Sequence, residues 1–172
     1  MKQTLEFSEI TSIEAESFGE PGKRTFRIVV SASNGSAIMW LEKEQLLQLA
    51  LAIQELLQTL PNNTDNSDIY KPSNDKEFVN HIEFHIGKLV LAHEGDNRRF
   101  IIDAYDLDKD TELPVVRIWG EKGELTNFAD NAIKICSAGR PVCPLCNVPM
   151  ESSGHVCPKV NGHNLHSLTK NE

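Results

Sequence analysis

The chain is 172 residues long, 40% hydrophobic and 24% charged, with four cysteines and a formal net charge of −8. That length suits one domain, or a domain with an appendage, and the composition excludes a disordered, collagen-like or cysteine-stapled chain. An acidic chain without a basic stripe speaks against duplex nucleic acid, which is bound through clustered Lys and Arg.

The first ten residues, MKQTLEFSEI, hold no apolar signal segment, so a cytoplasmic chain is expected. Residues 3–18 alternate loosely and read as a strand with a bulge. Gly19-Glu20-Pro21-Gly22-Lys23 follows, and Pro then Gly presets a type II turn. Thr25 to Ser31 is a strand rich in β-branched residues, Asn34-Gly35 marks a hairpin turn, and Ala37 to Leu41 is a third strand. From Glu42 the period changes to that of a helix, with Leu46, Leu49, Ala50, Ile53, Leu56, Leu57 and Leu60 on one face. The longest apolar run, residues 46–57, is broken by Gln48, Gln54 and Glu55, so no membrane span is expected.

Residues 61–77 are polar, carry Pro61 and Pro72, and read as a linker. The pattern then recurs. Phe78 to His93 reads as one long strand or two, with Gly87 as a bulge or break. Glu94-Gly95-Asp96-Asn97 is a turn, Arg99 to Tyr105 a strand, Asp106 to Leu113 a polar loop and Val115 to Trp119 a strand. Leu125, Phe128, Ala129, Ala132, Ile133 and Cys136 define a second helix face, with Gly139 as its C-terminal cap. Trp40 to Leu46 parallels Trp119 to Leu125 at an offset of 79, and Arg24 to Phe26 parallels Arg98 to Phe100 at an offset of 74. The expected fold is therefore α+β. Two strand-strand-strand-helix units, 1–60 and 78–138, form a mainly antiparallel sheet and arise by internal duplication. Each unit covers the apolar face of the other, Trp40 and Trp119 included in that core.

Residues 139–172 form a tail of net charge +1, against −9 for residues 1–136, and carry the chemistry. Cys143-Pro-Leu-Cys146 has the spacing of a zinc knuckle, in which both thiolates reach one ion while turn amides face the sulfurs. His155 and Cys157, two apart, project to the same side of extended backbone and complete a four-ligand set. His163 and His166 are reserve ligands, since Cys157 with His163 also makes a reasonable pair. The tail is thus expected to be zinc-ribbon-like, with a structural zinc. The same Cys-x-x-Cys serves redox chemistry when it opens a helix after a strand, but here it follows the turn-like Gly139-Arg140-Pro141. Cys136, on the apolar helix stripe, is expected to be core.

Four stretches, GEPGKRTF (19–26), LEKEQLLQLA (41–50), SAGRPVCPLC (137–146) and GHVCPKVNG (154–162), together resemble an uncharacterised bacterial family, domain of unknown function 3090. The resemblance spans nearly the whole chain. That family has no established activity. Its tail is similarly cysteine-rich, which implies Cys143, Cys146, His155 and Cys157 as the matching positions. The chain departs from the family at Asn147, where Gly is usual, and in its longer, more polar linker.

Other candidates have plainer readings. His81, Glu83 and His85 alternate with apolar residues and fit a solvated strand face better than a metal cluster. Asp106, Asp108 and Asp110 resemble the start of a calcium loop, but Thr111 and Arg117 stand where Gly and Glu are required, so an acidic surface loop is expected. Glu42 and Glu121 stand where the helices start and complement their dipoles. The function expected is that of a zinc-binding adaptor with a protein partner. The alternative is an enzyme or small-ligand-binding protein with a site between the two units. A third reading is single-stranded nucleic acid binding through the tail. No catalytic residue is identified.

Overall fold

The computed structural model describes residues 4–60, 80–95, 99–138, 143–146, 150, 155–157 and 159. The expected linker, the cap Gly139 and the reserve ligands His163 and His166 lie outside these residues. The elements in chain order are β1 (Leu5–Phe7), β2 (Ile10–Phe18), β3 (Thr25–Ala32), β4 (Gly35–Leu41), α1 (Lys43–Thr59), β5 (Asn80–Glu94), β6 (Arg99–Asp106), β7 (Val116–Gly120) and α2 (Lys122–Ser137).

Local chemistry explains most boundaries. Lys23 N–H donates to the Glu20 carbonyl at 2.9 Å across Pro21-Gly22, and Gly22 takes the φ of +90° that a type II turn needs. Both helices open with a capping box. Glu42 and Glu121 accept from backbone at the third helical residue, whose side chains, Gln45 and Glu124, accept from the cap amides at 2.9 Å. The apolar stripe of α1 buries Leu46, Leu49, Ala50 and Ile53, and that of α2 buries Leu125, Phe128, Ala129, Ala132 and Cys136.

The seven strands form one sheet in the order β1-β7-β6-β5-β4-β3-β2. Pairing is antiparallel except for β4 with β5 and β1 with β7, which run parallel. The two edge strands of this order, β1 and β2, are joined by only Ser8 and Glu9. Three chain steps span at most about 11 Å. Seven strands laid flat at about 4.8 Å spacing would hold their edges ~29 Å apart. The sheet must therefore curl until its edges approach. The single strand expected over residues 3–18 is accordingly two. A break at Ser8-Glu9 lets the first part join β7 while the second pairs with β3.

β5 does the same with one unbroken element. Its first half, to His85, pairs with β4 and its second half, from Ile86, with β6, with a register shift at Gly87. The shift in β2, between Ile10 and Ser12, is the equivalent irregularity. Registers agree throughout at fixed offsets. Phe26 faces Leu41 and Phe100 faces Gly120, 74 and 79 positions on; Trp40 follows Met39, which faces Phe84, and Trp119 follows Ile118, which faces Phe7.

The helices pack on each other and cross over to the other half, α2 against β2 and α1 against β5. One core results, built from Phe26, Ile28, Met39, Phe84, Phe100, Ile102, Ile118 and the helix stripes. The two tryptophans are not part of it. Strand alternation commits Met39, Leu41, Ile118 and Gly120 to the buried face, so Trp40 and Trp119 stand half-buried on the opposite one.

Candidate metal centre

In the tail, the ligand atoms of Cys143, Cys146, His155 and Cys157 all lie within 4.8 Å of one another. Cys143 and Cys157 are fully buried, while Cys146 and His155 are half-buried. The turn over Pro144 to Cys146 folds back so that the amides of Cys146 and Leu145 point at Cys143 Sγ. Burial pushes the Cys143 thiol up, but these amides and the neighbouring sulfurs outweigh it and hold the thiol below its ordinary value. A thiolate is the form that ligates a metal.

The spacing of the four groups tests the fit to an ion. Around a tetrahedral zinc with Zn–S of about 2.3 Å and Zn–N of about 2.05 Å, sulfur pairs stand ~3.8 Å apart and sulfur–nitrogen pairs ~3.5 Å. Cys143 Sγ lies 3.9 Å from Cys157 Sγ, and Cys146 Sγ lies 3.6 Å from His155 Nε2. All four cysteines are free, so no disulfide competes for these sulfurs. The donor set can hold a metal ion of tetrahedral preference. Four protein ligands complete such a shell, which leaves no position for substrate.

Residues 5–157 match the sequence model of the family described as protein of unknown function (DUF3090). The chain belongs to this family. The matched span ends on Cys157 and so includes all four gathered ligands. No curated protein and no solved structure matches the chain. Among the described residues, no helix is long and apolar enough to cross a membrane.

The other candidates are dispersed. His81, Glu83 and His85 do share the exposed face of β5, but each engages β4 separately. His81 Nδ1 meets Ser36 Oγ at 2.6 Å, Glu83 accepts from Trp40 Nε1 at 2.7 Å, and His85 stacks on Trp40 at 6.5 Å between ring centroids. The acidic loop is only partly at the surface. Asp106 is 7% exposed, because it closes the turn after β6 by accepting from the Asp108 amide at 3.0 Å and pairing with Lys109. Cys136 is core, and burial raises its thiol pKa against the opposing charge of Lys43.

Two features escape the sequence reading. Arg117 grips the buried Asp103 with two hydrogen bonds of 2.7 and 2.8 Å across β6 and β7. A cleft of about 250 Å³ opens where β4 and β5 part, with Thr25, Trp40, Glu42, His85 and Leu107 among its lining. The alternation of β4 carried the signal for Trp40, since a tryptophan out of phase with the buried residues is bound to face outward.

Proposed function

We propose that this is a zinc-binding adaptor protein of the cytoplasm, whose zinc is structural and whose partner is a protein. The observation that carries the metal reading is the convergence of Cys143, Cys146, His155 and Cys157, two of them sealed from solvent. A short tail cannot bury enough apolar surface to order itself, and a four-ligand ion supplies the missing free energy. Closed coordination favours a structural over a catalytic role. Free thiols gathered at one point suit a reducing compartment. Exposed Leu145 and Val156, at 46% and 67%, stand beside the ligands where an ordered tail would offer them to a partner.

The scaffold supports a companion proposal: residues 1–60 and 78–138 are two copies of one ancestral unit, joined by the linker 61–77 and followed by the tail from 139. Its support is that strand register, bulge position, capping box and buried helix positions all repeat, Leu46, Leu49, Ala50 and Ile53 answering Leu125, Phe128, Ala129 and Ala132.

One experiment tests the function. Full-length protein is purified, its zinc is measured by mass spectrometry, and tail proteolysis and recovery of bound protein from lysate are followed with and without a chelator. About one zinc per chain is expected, with tail protection and the recovered partner both lost on chelation and in Cys143→Ser. Metal-free protein with an equally protected tail would refute the metal reading. Recovery unaffected by loss of metal would refute the adaptor reading.

A further inference from the structure

We propose that the chain forms a two-fold dimer by pairing the second half of β5 with the same segment of a second copy, antiparallel and centred on Leu91. This association is separate from the metal and from the adaptor role.

β5 is paired on each side for only part of its length. On the β4 side the pairing runs from Asn80 to His85 and stops, because β4 ends at Leu41 and leads into α1. From Lys88 to Glu94 the strand pairs with β6 alone. The direction of its backbone groups follows from one hydrogen bond. The Ala104 carbonyl accepts from Val115 N–H at 2.9 Å, so it points toward β7 and away from β5. Leu89, opposite Ala104, therefore stands in a non-hydrogen-bonded pair. With period two, Leu89, Leu91 and His93 all turn their N–H and C=O groups to the side without a strand.

The matching edge in the other half is closed. β2 stands to β3 as this part of β5 stands to β6, with Ile13 and Ala15 in the register positions of Leu89 and Leu91. Asn131 of α2 donates to the Ala15 carbonyl at 3.2 Å, and Ile13 and Ala15 are buried. The α1 position that answers Asn131 is Ala52, whose methyl group cannot donate. Leu89 and Leu91 are only half-buried. One half thus caps its edge from a helix. The other presents Leu89-Val90-Leu91-Ala92-His93, without the proline or inward charge that guards an exposed edge.

The charges at the two ends of this segment select a second copy as the occupant. Lys88 and Glu94 are exposed and stand equally far from Leu91, one on either side. Antiparallel pairing about Leu91 sets Lys88 opposite the partner's Glu94 and Glu94 opposite the partner's Lys88. Leu91 then meets its own copy, and Val90 meets the partner's Ala92. The hydrogen-bonded pairs fall on Leu89, Leu91 and His93, the residues whose backbone groups are turned outward. Lys88 Nζ lies 4.5 Å from the Tyr105 ring centroid, which holds the ammonium on the outer face, and strand alternation places Glu94 on that same face. A parallel pairing in register would instead oppose Lys88 to Lys88 and Glu94 to Glu94. Because each copy offers the same patch, the contact closes on itself as a dimer.

The test is sedimentation equilibrium of the full-length protein from about 1 μM to about 1 mM, the range suited to a small strand-paired interface, in zinc-replete and chelated samples. Hydrogen exchange at both ends of that range reads the amides of Leu89, Leu91 and His93. Lys88→Glu and Glu94→Lys, both at exposed positions, each set like charges opposite one another, and the two together restore opposite charges. The expected result is a reversible dimer in which those amides exchange freely when dilute and are protected when concentrated. Each single exchange should weaken association at least about fivefold, and the double exchange should return it to within about threefold of the parent. Chelation should leave the dimer intact. A monomer across the whole range, the same amides already protected in the dilute protein, a single exchange with a smaller effect, a double exchange that fails to recover, or a dimer lost with the metal would overturn the proposal.

Discussion

Gly35 opens the seam between the two halves, and its replacement by alanine tests how tightly that seam is closed. Gly35 has a φ of +151°, and a Cβ there would lie 2.1 Å from the Asn80 carbonyl oxygen and 2.9 Å from its carbon and nitrogen. Ordinary non-bonded carbon contacts begin at about 3.5 Å, so the Asn80 carbonyl must retreat by roughly 1.4 Å. That movement breaks the bond from Asn80 N–H to the Asn34 carbonyl, now 3.1 Å, and opens the first rung of the β4–β5 pairing. The lost bond costs about 1 kcal/mol. The backbone strain adds about 1–2 kcal/mol, and the stiffer unfolded chain returns ~0.5 kcal/mol. A net loss of roughly 1.5–2.5 kcal/mol lowers the melting temperature by about 3–10 °C. Gly22→Ala separates strain from crowding, because Gly22 also has a positive φ, +90°, but nothing lies within 4 Å of its added Cβ. Thermal and denaturant unfolding of both variants is the assay, with hydrogen exchange reading the amides of residues 36–40 and 81–85. Equal losses for Gly22→Ala and Gly35→Ala, or exchange unchanged along the seam, would refute the reasoning.

Phe128, 2% exposed on α2, occupies the position that Leu49 holds on α1. Phe128→Ala should cost about 3–5 kcal/mol in denaturant unfolding, whereas Phe128→Leu should cost under ~1.5 kcal/mol, and equal costs would contradict the packing described. Cys136 supplies a pH dependence. Its folded-state thiol is raised, so the unfolded chain ionises first; its contribution to stability is complete below the ordinary thiol pKa of about 8.5 and is lost as pH rises through the higher folded value. The melting temperature of the parent should therefore fall more steeply than that of Cys136→Ala above pH ~8.5, and parallel profiles would exclude the effect.

What was legible in the sequence was local. The α1 and α2 stripes were readable because helical period places Leu46, Leu49, Ala50 and Ile53 on one side whatever they meet. The Pro21-Gly22 turn was readable because its two residues fix their own backbone angles. Cys143, Cys146, His155 and Cys157 were readable because the four ligands fall within fifteen positions. Sheet closure left no such trace. β4 meets β5 through residues some 45 positions apart, and β1 meets β7 through residues 111 apart, parallel in both cases, with nothing in either segment naming its partner. The cleft beside Trp40 was hidden for the same reason, since β3, β4, β5 and the start of α1 each contribute a part.

The match between the halves also shows where the molecule is free to change. Across β3 and β6 the helix-facing pairs Phe26 and Phe100, Ile28 and Ile102, Val30 and Ala104 keep their apolar character. The alternate pairs, Thr25 and Arg99, Arg27 and Ile101, Val29 and Asp103, Ser31 and Tyr105, differ in charge, size or polarity at every position. Packing explains the first set, because both helices must close on one core in which a changed volume is felt at once. The second set stands on the opposite side of the sheet, where Asp103 alone is buried, so packing constrains it less. Asymmetry on that face has already given one half an Asp103–Arg117 clasp and the other an open cleft beside Trp40. A scaffold whose closure is fixed by its inner face thus tolerates changes of charge, size and polarity on its outer face without disturbing the fold.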